Sequence, residues 1–217
     1  MTKCRQLLAM SAVGLLVLAV LAVLGAPGTP ARAATAVFYT DGTTFEAAVG
    51  TTVTDDYGSP PYPAGWGIYS DTIFSAYKGE TDYHTTGWAD TNRHLIDDRY
   101  CGGCNGSFEL SFQTTSVTQG GTGVYGVGLD ILANSSSLPY YAFITYGDGT
   151  TGNFALPVVL QPGTSFFGVT APELIVSIHF GLEKGGYTQG GSFVIDNLTI
   201  GREYTTYLPL VLRGGAG

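Results

Sequence analysis

Residues 190–201, GGSFVIDNLTIG, constrain this chain more than any other stretch. Their two alternating sets are Phe193, Ile195, Asn197, Thr199 and Val194, Asp196, Leu198, Ile200, so both faces carry apolar side chains. A β-strand covered on both sides follows from that pattern. Either Asp196 or Asn197 then faces inward, or the strand bulges between them and moves the apolar set from one face to the other. A buried carboxylate needs company, because leaving it unpaired in a low-dielectric site costs several kcal/mol. A cation, an arginine or a set of backbone N–H groups would serve.

The first 33 of the 217 residues read as an export segment. Lys3 and Arg5 form a basic start, residues 7–25 an apolar run, and Ala31-Arg32-Ala33 a small-x-small cleavage pattern. Three of the nine basic residues leave with it and all 17 acidic residues stay, giving the mature chain a net charge of −11. That charge excludes nucleic acid and anionic membrane surfaces as partners and leaves glycans, neutral solutes and divalent cations open. Residues 34–201 form the expected domain, and residues 202–217 a tail that is either an added edge strand or a sorting segment.

Residues 44–49 carry the one helix expected, with Asp41 or Thr43 as its cap. Alternating segments follow at 107–117, 123–133, 140–146, 153–160, 166–170 and 174–182. Asp148-Gly149 between two apolar runs is a strong hairpin signal, and Ala171-Pro172-Glu173 is expected to turn the next pair. Many short strands with little helix predict an all-β, antiparallel two-sheet β-sandwich of jelly-roll type.

The runs Phe167-Gly168-Val169-Thr170, Ile175-x-Ser177-Ile178-x-Phe180 and Phe193-x-Ile195-Asp196-Asn197-Leu198-x-Ile200-Gly201 resemble the second half of exported bacterial β-sandwich proteins of the PEP-CTERM-associated type. The closing segment also resembles the last strand of jelly-roll carbohydrate-binding modules. That second resemblance implies a structural calcium held in part by Asp196. The Pro-Glu-Pro sorting signal of the first group is missing from the tail.

Asp55 and Asp56 are the carboxylates expected to join Asp196 around calcium, with backbone carbonyls near residues 36–41 completing the six to eight oxygen ligands the ion needs. The other reading is a solvated strand end. Cys4 leaves with the leader, so Cys101 and Cys104 remain as a pair in an oxidising compartment, which predicts a disulfide closing one tight turn. Trp66, Tyr69, Tyr83 and Trp88, with Tyr62 and Tyr100, sit in loop-like sequence where flat rings can stack on sugar C–H faces. Packing beneath the sheets is the competing use of those rings. His84, His94 and Asp97-Asp98 are expected at the surface, and no nucleophile elbow, zinc motif or phosphate loop is present. Together these point to a secreted or cell-surface, non-catalytic glycan-binding or adhesion domain. A polysaccharide hydrolase using carboxylates between Tyr57 and Arg99, or a structural envelope component, are the alternatives.

Overall fold

The computed structural model describes residues 35–87, 91–118, 122–135, 139–182 and 193–204. In chain order these hold β1 (Val37–Tyr39), α1 (Gly42–Ala48), β2 (Thr52–Asp55), β3 (Gly67–Tyr69), α2 (Asp71–Lys78), β4 (Asp82–Thr85) and β5 (Asn92–His94). A 3-10 turn at Gly102–Asn105 leads into β6 (Phe108–Ser111), β7 (Val124–Asn134), β8 (Tyr140–Tyr146), β9 (Thr151–Leu156), β10 (Ser165–Gly181) and β11 (Phe193–Gly201).

All pairings are antiparallel, and β10 belongs to two layers. Its first part, Ser165 to Thr170, lies between β7 and β1, giving the order β2-β11-β7-β10-β1. Its second part, from Ile175 onward, lies between β6 and β8, giving β4-β6-β10-β8-β9. The corner falls where Pro172 has no N–H for a ladder, Leu174 takes φ 62° and the register slips between Ile175 and Ser177. The reversal expected at Ala171-Pro172-Glu173 is therefore a bend: the chain turns from one sheet into the other without doubling back. The Asp148-Gly149 hairpin forms between β8 and β9 as its sequence indicates, with Asp148 Oδ1 accepting from the Thr150 N–H at 2.9 Å.

The sandwich closes around aromatic side chains from both layers. Phe193 of β11 stacks on Tyr140 at 4.8 Å and Phe180 at 5.6 Å, and Phe180 meets Phe167 edge-on at 6.0 Å. β11 resolves its own ambiguity by bulging. Register slips between Asp196 and Thr199, and Asn197 adopts φ 49°. Phe193 and Ile195 enter the main core before the bulge, Leu198 and Ile200 after it, so Asp196 and Asn197 both escape burial in that core.

α1 begins with Asp41, whose Oδ1 accepts from the Thr44 N–H at 2.8 Å and the Thr44 hydroxyl at 2.7 Å. It lies on the outer face of the first sheet over Gly126, Gly128 and Gly168, which leave room for its Phe45. A Cβ at Gly128 would stand 2.6 Å from Phe45 and 2.7 Å from Phe166, and one at Gly168 would stand 2.7 Å from Phe166. The bare stripe lets the Phe45 ring bury completely.

The single-helix expectation needs correction. α2 contains the β-formers Thr72, Ile73 and Phe74, but its ends are specified: the Ser70 hydroxyl accepts from the Ile73 N–H, Asp71 sits in the first turn and Gly79 closes with φ 70°. With Phe74 as its buried anchor, end signals and packing outweigh β-propensity.

Candidate functional site

The expected ring platform divides between core and surface. Tyr83 is 2% exposed, and Tyr62 and Tyr100 are as deeply buried, so none of the three can present a face to a sugar. Trp66 is 60% exposed on the short β3–β5 ribbon, Tyr69 is half-buried against Tyr77, and Trp88 lies outside the described residues. What gathers the tyrosines is Asp55. From the end of β2 it turns inward and accepts from the Tyr62 hydroxyl at 2.6 Å, the Tyr83 hydroxyl at 3.0 Å and the Tyr57 N–H at 3.1 Å. Burial pushes its carboxyl up, and those three bonds partly offset the penalty. The same burial drives the Tyr57, Tyr83 and Tyr100 hydroxyls well above the usual tyrosine range.

His94, expected at the surface, is fully buried in this cluster. Its ring stacks on Tyr62 at 5.4 Å, with Nδ1 2.9 Å from the Gly65 carbonyl and Nε2 2.8 Å from the Tyr57 carbonyl. It ties the proline-rich loop down to β5. Tyr100 then joins the cluster to β11 through paired backbone bonds with Ile195 at 3.1 and 2.9 Å.

The carboxylates expected around calcium are divided: Asp55 turns into the tyrosine cluster, while Asp56 lies near enough to Asp196 for its charge to raise that carboxyl. Asp55 has its oxygens occupied by tyrosines. β1 lies on the far edge of its sheet, with β7 and β10 between Val37–Tyr39 and β11. Among the described residues no three His, Cys, Asp or Glu side chains are grouped to hold a metal. Asp196 instead stands on the outer side of the bulge opposite Asp130 of β7. Burial pushes its carboxyl up to about 6; the Asn197 N–H opposes this, the Asp130 and Asp56 charges add to it, and Arg99 counteracts them. Asn197 Nδ2 donates to Asp130 Oδ2 at 2.8 Å.

Cys101 and Cys104 form the expected disulfide, with Cα atoms 5.4 Å apart. Cys101 packs with Ala133 and Val194, covering the face of β11 that the main core does not reach.

The outer face of the second sheet carries a row that sequence reasoning did not assemble. Cross-strand register aligns His84 of β4, Glu109 of β6, His179 of β10, Phe143 of β8 and Asn153 of β9. At about 4.8 Å per strand the row spans about 19 Å. Phe143 stacks on His179 at 5.9 Å and touches Tyr141 at 5.6 Å, making three neighbouring rings. His179 is itself buried, 2% exposed, with its Nε2 2.9 Å from the Thr86 hydroxyl, which in turn lies 2.7 Å from the Ser107 hydroxyl. Alternation in each strand was legible, but which residues stand abreast depends on register between strands far apart in sequence.

Carboxylates also meet beside α2, where Asp71 and Asp82 line a cleft of about 450 Å³. Burial raises the Asp71 carboxyl, but bonds from the Thr85 N–H, Asn92, His84 and the Thr85 hydroxyl outweigh it and hold it below the usual range. A glycosidase pair needs one carboxyl kept protonated near neutral pH. Asp71, held ionised, is not that acid.

No family model and no curated protein matches the chain. Among solved structures it is similar to a family 11 carbohydrate-binding module from Clostridium thermocellum in complex with a β-1,3-1,4-mixed-linked tetrasaccharide, at 16% identity over 70% of this chain and 98% of that one, with a TM-score of 0.31. The family 11 module of the cellulosomal cellulase Lic26A-Cel5E of the same organism is 15% identical over 74% and 99%, TM-score 0.31. TmCBM61 in complex with β-1,4-galactotriose is 12% identical over 64% and 88%, TM-score 0.32.

Proposed function

We propose that this chain is an exported, non-catalytic β-sandwich that binds a glycan on the outer face of its second sheet. The observation carrying the proposal is the pair of half-buried rings Tyr141 and Phe143, in cross-strand register with Glu109 and His84, with the buried His179 ring packed beside Phe143 as their support. Flat rings supply stacking surface for sugar C–H groups, while a carboxylate and an imidazole at the same level offer hydrogen bonds to hydroxyls. Anchoring of His179 by Thr86 fixes the array before a ligand arrives, which lowers the ordering cost of binding. The disulfide and the leader expected at residues 1–33 support an extracellular setting. A mature net charge of −11 favours neutral or cationic glycans over acidic ones.

A glycan-array screen of residues 34–217, followed by titration calorimetry on any hit, tests this. Phe143→Ala and Glu109→Gln should each weaken binding about tenfold, near 1.4 kcal/mol, and Trp66→Ala should leave it unchanged. Loss of binding in the Trp66 variant alone would move the site to the β3–β5 ribbon, and no glycan bound at all would overturn the function.

A further inference from the structure

The glycine stripe that seats α1 ends at Asp130. Beyond it the outer face of the first sheet opens into a groove of about 320 Å³ roofed by the start of the helix. Asp130, Thr199, Asn197, Thr54 and Phe166 line it from the sheet side, and Glu46 lines it from α1. We propose that this groove binds a sugar ring bearing a free ammonium group.

Charge is the first reason. Two carboxylates, Asp130 on the sheet and Glu46 on α1, line the groove, and no lysine or arginine is among the described residues lining it. An ammonium placed between them makes charge-assisted hydrogen bonds, roughly twice as strong as those a neutral hydroxyl would make. The second reason is arrangement. Asn197 ties down Asp130 Oδ2, and Oδ1 has no partner among the described residues. The Thr54 and Thr199 hydroxyls, 2.9 Å apart, offer neighbouring polar contacts for a ring hydroxyl. Phe166, tilted against Phe45 at 5.6 Å, supplies an aromatic face that attracts both C–H groups and a nearby cation. The volume sits at the small end of ligand pockets, about 300–1,000 Å³, which suits a single ring. The groove lies on the opposite sheet from the Phe143 row, so it can bind whether or not that row does.

Amide NMR of the mature protein titrated with glucosamine, with glucose, with N-acetylglucosamine and with calcium chloride separates the possibilities. Glucosamine should shift Asp130, Asn197 and Thr199, with the two uncharged sugars at least about tenfold weaker. Asp130→Asn should abolish the response, and Phe143→Ala should leave it intact. Should Asp130→Asn not fold, Glu46→Gln on the exposed face of α1 should still weaken the glucosamine response about threefold. Equal responses to glucose and glucosamine, shifts of the same amides by calcium alone, or no shift with any sugar would each overturn the proposal.

Discussion

Replacing Asp196 with asparagine should stabilise this protein, and only above a definite pH. In the unfolded chain the carboxyl titrates near 3.8 and in the fold near 6. Ionisation therefore favours the unfolded state. Below about pH 4 both states hold the proton and nothing is lost; between 4 and 6 the native state is progressively penalised; above 6 the penalty is constant. Two pH units correspond to about 3 kcal/mol. Because the side chain is only half-buried, solvent screening cuts that to about 1 kcal/mol. Asparagine keeps an acceptor for the Asn197 N–H, now 2.8 Å from Oδ1, and removes the charge that faces Asp130 and Asp56. For a domain of this size the melting temperature should rise by about 2–4 °C at pH 8 and be unchanged at pH 3.5. Calorimetry of both proteins across that range is the assay. A gain of equal size at both pH values, or a loss at pH 8, would refute the assignment of Asp196 as a strained, like-charge neighbour of Asp130.

Three further perturbations probe the frame. Phe193→Ala removes the ring between Tyr140 and Phe180 and should cost about 3–5 kcal/mol in urea unfolding. Gly128→Ala puts a methyl 2.6 Å from Phe45, so it should destabilise by about 1–3 kcal/mol and shift the amide signals of α1 while sparing the second sheet. Asp55→Ala strips the Tyr62 and Tyr83 hydroxyls and the Tyr57 N–H of their shared acceptor, and a loss of about 3 kcal/mol with increased near-ultraviolet exposure of tyrosine is expected.

Local chemistry, and what local chemistry can say, explains which features could be read from the sequence. The Asp148-Gly149 turn and the Cys101–Cys104 staple each depend on a few adjacent residues, so the chain by itself determined them, while it narrowed the first helix cap to Asp41 or Thr43 and β11 to a bulge or an inward polar side chain. The two-sheet architecture follows from the same alternation repeated along the chain. What only the tertiary structure decided are pairings between distant segments: that β10 runs through a corner instead of reversing, that Asp55 draws Tyr62 and Tyr83 into the core and away from any ligand, and that His84, Glu109, His179 and Phe143 stand abreast. An alternating strand specifies two faces but not its neighbours. Register and burial are set by contacts across scores of residues, and these chose which polar side chains would be spent on stability and which left at the surface.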